Sequence, residues 1–264
     1  MLDNKLWLVY ITSPMQAKKR NIKLVIEYDG TNYRGWQSQS GNHVTVQETI
    51  MDAIKQITGE RVILYGAGRT DSGVHAIGQT ASFYSRTKIP PERLRAALNS
   101  NLPKDISIRS VEYMKSSFSA QFQVKSKTYC YTILNTEFPS ALMRNFSYHV
   151  SKVRLDTKKM KQAARHLVGT YDFRSFASAS RKKENWVRKI YSITIARDKG
   201  IIKIVVRGNG FLYNMVRNIV GTLILAGKGS MKPEAIKEIL KLKDRRKAGP
   251  NVPPQGLCLM KVEY

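Results

Sequence analysis

The sequence predicts an α+β protein of two similar halves, whose mainly antiparallel sheets flank a basic central cleft. Segments with alternating apolar and polar residues are interspersed with segments of helical spacing, which is typical of α+β folds. This succession occurs twice, on either side of a break at residues 137–139. We therefore predict a disordered N-terminal extension over 1–20, a first half over 21–136 and a second half over 137–264.

The first half begins with an alternating strand over residues 22–28 and continues into an aromatic, basic loop. A helix follows, because Thr45 and Glu48 form a capping box and Gly59 ends the helical spacing. The other elements predicted in this half are strands over 62–65, 80–84, 106–113 and 127–134, and a short helix from 90–91 through 98.

The second half repeats this pattern. A basic helix over 157–168 ends at Gly169, and an apolar stripe from Leu212 to Leu223 indicates a second helix that ends near Gly227. The other elements predicted here are strands over 187–196, 201–207 and 257–262, and a helix over 233–242. Two halves of similar size suggest a cleft between them.

The charge of the chain points to a polyanionic partner. Its 264 residues include 45 Lys and Arg against 19 Asp and Glu, a formal net charge of +26. Nucleic acid is the first candidate for that partner and an anionic membrane surface the second. No apolar run approaches the roughly 20 residues of a membrane span.

The cysteines and the glycine spacings bear on compartment and cofactor. Cys130 and Cys258 lie far apart and outside any C-x-x-C spacing, which fits a reducing, cytoplasmic compartment and offers no zinc motif. Gln79 stands where a phosphate-binding loop needs lysine, and G-x-G-x-x-G is absent after any strand. We therefore expect neither a metal nor a cofactor.

The glycine-rich segment over 66–76 is the most informative stretch for chemistry. It carries Arg69, Thr70, Asp71 and Ser72 between glycines, with His75 after them. Glycine lets a ligand approach the backbone closely, so the segment suits a rigid loop that presents Asp71 to a substrate. An aspartate that caps an ordinary turn would have a similar composition. The residues by themselves leave both interpretations open.

Six collinear motifs between about residue 21 and residue 264 resemble the tRNA pseudouridine synthase A family. They are YDGTNYRGWQ (28–37), GRTDSGVHA (68–76), KTYCY (127–131), YDFRSF (171–176), MVRNIVG (215–221) and the terminal Gly256-Leu257. The resemblance implies the pseudouridine synthase fold, a homodimer that binds tRNA, and isomerisation of uridine at positions 38, 39 and 40 of the anticodon stem-loop.

Motif positions also imply a role for each site residue. Asp71 matches the catalytic aspartate. A single carboxylate suits this reaction, because the detached uracil itself rejoins the ribose and no water needs activation. By the same matching, Arg217 pairs with Asp71, Tyr129 stacks on the target base and Leu257 forms an apolar wall. Arg69 contacts backbone phosphate or helps to splay the target nucleotide.

One departure from the family pattern bears on RNA contacts. The family commonly has Phe-His-Ala-Arg-Phe where this chain has Ser119 and Gln121 in place of the histidine and arginine. That replacement puts one RNA contact in doubt. Basic clusters that favour a broad RNA-binding face lie at 18–20, 181–183, 188–189 and 245–247.

Two further hypotheses compete with an enzyme. The first is a non-catalytic basic protein that binds RNA through the same groove. The second is a protein that docks on anionic membranes through the basic segment 157–166. Together, Asp71, Tyr129 and Arg217 argue against a purely binding role, since binding alone needs no buried carboxylate.

Overall fold

A computed structural model describes residues 18–41, 43–178 and 185–264. Within these ranges, ten strands form one sheet. They are β1 (Arg20–Tyr28), β2 (Tyr65–Gly66), β3 (His75–Ser85), β4 (Ile106–Met114), β5 (Ser126–Leu134), β6 (Tyr148–His149), β7 (Gly169–Asp172), β8 (Val187–Asp198), β9 (Ile201–Gly208) and β10 (Leu257–Glu263). The predicted α+β class with a mainly antiparallel sheet is confirmed.

Five α-helices accompany the sheet in the same ranges. They are α1 (Val46–Thr58), α2 (Pro91–Asn101), α3 (Thr157–Arg165), α4 (Met215–Gly227) and α5 (Ala235–Leu242). The capping prediction for α1 is confirmed, because the Thr45 side chain accepts a hydrogen bond from the Glu48 amide and Gly59 ends the helix at φ 73°. Helix α4 is buried nearly all round, rather than along one stripe.

The strands of the two predicted halves join in a single sheet with the order β4-β1-β3-β10-β5-β9-β8-β7. Strand β10, from the end of the chain, lies between β3 and β5 of the first half. It runs parallel to β3 and antiparallel to β5, so that Cys258 opposes both His75 and Cys130. The sheet is therefore continuous across the predicted boundary at 136/137, and the division into halves stays a prediction.

Two predicted boundaries differ from the structure. Arg20, predicted to lie in the extension, is the first residue of β1 and pairs with Ser85. The rest of the predicted extension, up to residue 17, lies outside the described residues. The predicted strand over 62–65 is wrong in its bounds. Only Tyr65 and Gly66 pair with β3, opposite Ser82 and Ala81.

Helices cover both ends of the sheet and leave a recess near its centre. Helix α2 packs against α1 and β4, whereas α3 packs against α4 and β8. Helix α4 also contacts β5, the strand beside β10. The loop before β3, the middle of β5, the N-terminus of α4 and the start of β10 therefore meet over the central strands.

Candidate active site

All five residues predicted for the site line one cavity of about 400 Å³. Asp71 and Arg69 come from the loop between β2 and β3, Tyr129 from β5, Arg217 from α4 and Leu257 from β10. The cavity is also lined by Thr70, Val74, Lys127, Phe211, Leu212, Tyr213, Asn214, Met215 and Val216. The charged side chains of this lining are one carboxylate, that of Asp71, and three cations, those of Arg69, Lys127 and Arg217.

The loop that carries Asp71 is held by the segment that follows β1. The Tyr28 hydroxyl and Thr70 Oγ1 are 2.7 Å apart, and the Trp36 amide donates to the Thr70 carbonyl at 3.1 Å. Gly35, the residue before Trp36, has φ 87°, and a Cβ atom there would lie 2.6 Å from the Thr70 carbonyl oxygen. Asp71 therefore follows a residue held at two points, because both the side chain and the carbonyl of Thr70 are hydrogen-bonded to buried aromatic residues of the core.

Arg217 is the partner of Asp71. Its Nη1 donates to Asp71 Oδ2 at 3.1 Å and to Asn214 Oδ1 at 3.0 Å, while Nε donates to the Val252 carbonyl at 2.7 Å. The side chains of Arg217 and Asp71 are 13% and 24% exposed. A guanidinium with two further acceptors has a determined orientation, so it holds the carboxylate in one position at the cavity wall.

Tyr129 and Leu257 form the apolar side of the cavity. The Tyr129 ring packs edge-to-face against Phe211, with centroids 5.3 Å apart. Burial, and secondarily the charge of Asp71, raise the pKa of the Tyr129 hydroxyl well above its usual range. The hydroxyl therefore stays protonated at neutral pH. Leu257 is buried and pairs with Tyr131 across β5.

Arg69 differs from the other predicted residues in being exposed. Its Nε donates to Gln37 Oε1 at 3.2 Å, and among the residues described it has no carboxylate partner. Arg69 also borders a second recess, of about 570 Å³, together with Arg34, His43 and Tyr213. Its position at the mouth of the Asp71 cavity suits contact with a large ligand that extends beyond the cavity.

The comparison with known families shows to which family the chain belongs. A family model for tRNA pseudouridine synthase matches residues 24–123 and 163–264. The chain belongs to the tRNA pseudouridine synthase family. The resemblance to this family that the six motifs carry is thereby confirmed, and with it the expectation of an isomerase that makes pseudouridine.

Curated relatives agree with this assignment over nearly the whole chain. A tRNA pseudouridine synthase A of Thermoanaerobacter sp. is 50% identical over 245 residues, 93% of this chain and 100% of its own length. A tRNA pseudouridine synthase A 2 of Clostridium perfringens is 51% identical over 246 residues, with the same two coverages of 93% and 100%. A tRNA pseudouridine synthase A of Acetivibrio thermocellus is 47% identical, again with 93% and 100% coverage.

The structure of this synthase also reveals site residues for which the sequence predicted no role. Lys127 and Tyr213 line the Asp71 cavity, and Asn214 precedes α4 in the left-handed conformation at φ 60°. Lys127 had a usable signal, since it stands two residues before Tyr129 on a predicted strand and so shares its face. No sequence signal pointed to Asn214. The apolar stripe predicted that the helix starts at Leu212, whereas α4 starts at Met215, directly after Asn214.

Of the two residues that depart from the family pattern, Gln121 lies beside the loop of Asp71. Gln121 borders a recess of about 250 Å³ together with Gln37 and Arg69. Ser119 Oγ accepts a hydrogen bond from the Phe122 amide at 3.3 Å. The departure therefore changes the wall next to Arg69 and leaves the pair of Asp71 and Arg217 untouched.

Part of the predicted basic face has a structural role. Arg245 donates to Asn218 Oδ1 at 2.7 Å, and Arg246 forms an ion pair with Asp244 at 2.9 Å. The cluster over 245–247 is thus partly engaged within the fold. The cluster over 181–183 lies outside the described residues, whereas Lys18, Lys19 and Arg20 are exposed at the start of β1.

Proposed function

We propose that this protein converts uridine to pseudouridine at positions 38, 39 and 40 in the anticodon stem-loop of tRNAs, with Asp71 as the catalytic residue. The observation that carries the proposal is the Asp71 carboxylate, held by Arg217 at 3.1 Å in a cavity walled by Tyr129 and Leu257. The names of the curated relatives supply the tRNA substrate, and the resemblance to their family supplies the three positions.

The chemistry needs one carboxylate and no net water. The N1–C1′ bond of uridine breaks, the uracil turns, and C5 bonds to C1′; N1 then carries a proton and C5 has lost one. Asp71 acts either as a nucleophile at C1′ or as the base that removes a ribose proton. Both routes conserve atoms and end with the carboxylate regenerated. Arg217 orients the carboxylate, and Tyr129 stacks on the base removed from its stem.

The wider assignment covers the assembly and the compartment. We propose a homodimer that binds tRNA, on the strength of the family resemblance, to be tested by light scattering on the purified chain. Cytoplasmic location is supported by the free thiols of Cys130 and Cys258. Arg69 is proposed to contact the RNA backbone or to help to splay the target nucleotide, because it stands exposed at the cavity mouth.

The membrane-docking alternative finds little support in the structure. In α3, Met160, Ala163 and Ala164 are buried, and the helix packs against α4 and β8. Its apolar side is therefore already occupied. Among residues 18–41, 43–178 and 185–264, no helix has the length and apolarity needed to cross a bilayer. The same ranges contain no cluster of three histidine, cysteine or acidic residues suited to a metal ion.

The test compares the wild type with Asp71→Ala and Asp71→Asn on unmodified tRNA. Pseudouridine is mapped by carbodiimide labelling and reverse transcription, and RNA binding is measured by gel shift. We expect modification of the anticodon arm by the wild type, and binding without modification by both variants. Asp52→Asn, at an exposed site on α1, is the matched control and should stay active. A wild type that binds tRNA and forms no pseudouridine would establish the alternative, a non-catalytic RNA-binding protein.

A further inference from the structure

Lys127 occupies the Asp71 cavity without a role in the proposed chemistry. It lies on β5 two residues before Tyr129, so both side chains project from the same face of the strand. Both line the cavity. The ammonium lies against the loop of Asp71, because a Cβ atom added to Gly68 would be 2.4 Å from Lys127 Nζ.

The charge of Lys127 is not balanced within the part of the chain that the structure describes. Among the described residues, the influences on its ammonium are burial and the charge of Arg188, with neither a carboxylate nor a hydrogen-bond acceptor beside them. Asp71, the carboxylate of the cavity, is engaged by Arg217. Burial, and secondarily the charge of Arg188, lower the pKa of Lys127 to about 8. Such a cation is stabilised when an anion enters the cavity.

Two anions could fill that role: a phosphodiester of the RNA, or the negative charge that develops on the departing uracil. The position of Lys127 favours the phosphodiester. Its ammonium lies beside Gly68, and the next residue in that loop, Arg69, is exposed at the mouth of the cavity. The backbone of a bound RNA strand passes the mouth, whereas the uracil lies inside the cavity near Asp71, so the phosphodiester is the anion that this position favours.

We propose that Lys127 binds a phosphodiester adjacent to the target nucleotide and so positions the strand from which the uridine is flipped. The proposal rests on the proposed function, because it assumes that the cavity takes a nucleotide of an RNA chain. Lys127 is then a positioning residue. Its loss should raise KM more than it lowers kcat, since the interaction is made in the bound ground state and kept in the transition state.

The first experiment measures RNA affinity and pseudouridine kinetics for the wild type, Lys127→Met and Lys127→Arg over a series of salt concentrations. We expect Lys127→Met to weaken binding about 3- to 10-fold and to lower the slope of log Kd against log salt by about 0.7 to 0.9, the loss of one phosphate contact. Lys127→Arg should restore both quantities, because a guanidinium also binds phosphate.

Lys203→Met is the matched control. Lys203 pairs with Thr132 across β5 and β9, and both border a cavity on the opposite face of the sheet together with Cys130. The Lys203→Met substitution removes one positive charge from the same sheet and should leave the slope of log Kd against log salt unchanged. An equal loss of slope in Lys203→Met would overturn the proposal, because the effect would then be one of net charge.

Gly68→Ala is a second substitution that tests the position of the Lys127 ammonium. Its Cβ would displace the Lys127 ammonium, which is the far end of a flexible side chain, so the fold should tolerate the change. We expect Gly68→Ala to raise KM in the wild-type background and to have no further effect in Lys127→Met. Additive effects of the two substitutions would show that Gly68 acts elsewhere and would contradict the proposed placement of Nζ.

The outcomes separate this proposal from the proposed function. If the wild type forms pseudouridine while Lys127→Met keeps the wild-type slope and KM, Lys127 does not bind phosphate and the synthase assignment stands. A fall confined to kcat would assign Lys127 to the uracil and overturn the phosphate proposal. If the wild type forms no pseudouridine, the proposed function fails, and a reduced slope in Lys127→Met would still support the phosphate contact.

Discussion

The guanidinium of Arg217 lies 3.1 Å from the carboxylate of Asp71, although 146 positions of the chain separate the two residues. The arginine is oriented independently of the aspartate, by the Val252 carbonyl and by Asn214. A carboxylate bound to an already oriented partner loses little further freedom when the substrate arrives. This pair therefore fixes the position of the carboxylate that we propose to be catalytic.

Arg217→Lys should lower kcat about 10²-fold with little change in KM. A lysine at 217 cannot reach the three acceptors in the same plane, so the carboxylate would shift, and misplacement by about 1 Å has costs of this order. Single-turnover kinetics measure the effect. Arg109→Lys is the control, since Arg109 forms an exposed pair with Glu27 at 3.4 Å and such pairs contribute little. A kcat within threefold of wild type in Arg217→Lys would contradict the orienting role.

Tyr129→Phe and Tyr129→Leu should separate the ring from the hydroxyl. Burial and the nearby Asp71 raise the pKa of Tyr129, so the hydroxyl is not ionised in the neutral range and does not act as a base. We expect Tyr129→Phe to stay within about threefold of wild-type kcat/KM, and Tyr129→Leu to lose about 10- to 100-fold with the stacking energy. Equal losses in the two variants would assign the function to the hydroxyl instead.

Lys127→Met should be more stable than the wild type at pH 7. In the folded chain burial lowers the pKa of Lys127 from its ordinary value of 10.5 to about 8, so the unfolded chain binds more protons between these two pH values. The buried charge of Lys127 lowers the free energy of unfolding by its full amount below about pH 8, and this loss disappears as the pH rises toward 10.5. Arg188 acts on Lys127 from β8, and Arg69, Asp71 and Arg217 share its cavity.

The expected gain in unfolding free energy for Lys127→Met is about 1 to 3 kcal/mol at pH 7, shrinking as pH approaches 10.5. Urea titrations at pH 7, 8.5 and 10 measure it. The same variant should bind RNA less tightly, so stability and affinity change in opposite directions. A loss of stability at pH 7 would mean that the Lys127 charge is compensated within the fold.

Gly35→Ala should unfold the chain more easily than Gly59→Ala. Both glycines have positive φ, 87° and 73°, so both substitutions carry a backbone penalty of about 1 kcal/mol. A Cβ atom at Gly35 would also lie 2.6 Å from the Thr70 carbonyl oxygen, whereas nothing lies within 4 Å at Gly59. We expect an additional loss of about 1 to 3 kcal/mol for Gly35→Ala, with reduced kcat as the Asp71 loop shifts.

Thermal unfolding with activity measured in parallel tests this comparison. Gly59→Ala serves as the control for the backbone penalty alone, and it should keep wild-type kcat because the C-terminus of α1 lies outside the cavity. Equal stability of the two variants would show that the Thr70 backbone yields without strain.

Much of the fold followed from local patterns. The bounds of α1 were predicted because Thr45 supplies a side-chain acceptor at its start and Gly59 adopts the left-handed conformation at its end. The long antiparallel strands followed from their alternation. Strand β3 was predicted to start at Thr80 and starts at His75, because pairing with β1 and β10 extends it through Gly78, where a side chain would collide with Met260.

The sequence by itself predicted the element types, the basic character and, through its six motifs, the family and five candidate site residues, which line one cavity. Local spacing carries that information, because caps, alternation and glycine positions act within a few residues. Only the tertiary structure decided that β10 joins the two halves in one sheet, and only it gave the geometry of the pair of Arg217 and Asp71 that the resemblance had implied. It also brought Lys127 against Gly68. These contacts depend on which strands pair and how helices pack on them, and such long-range choices leave no periodic trace in the sequence.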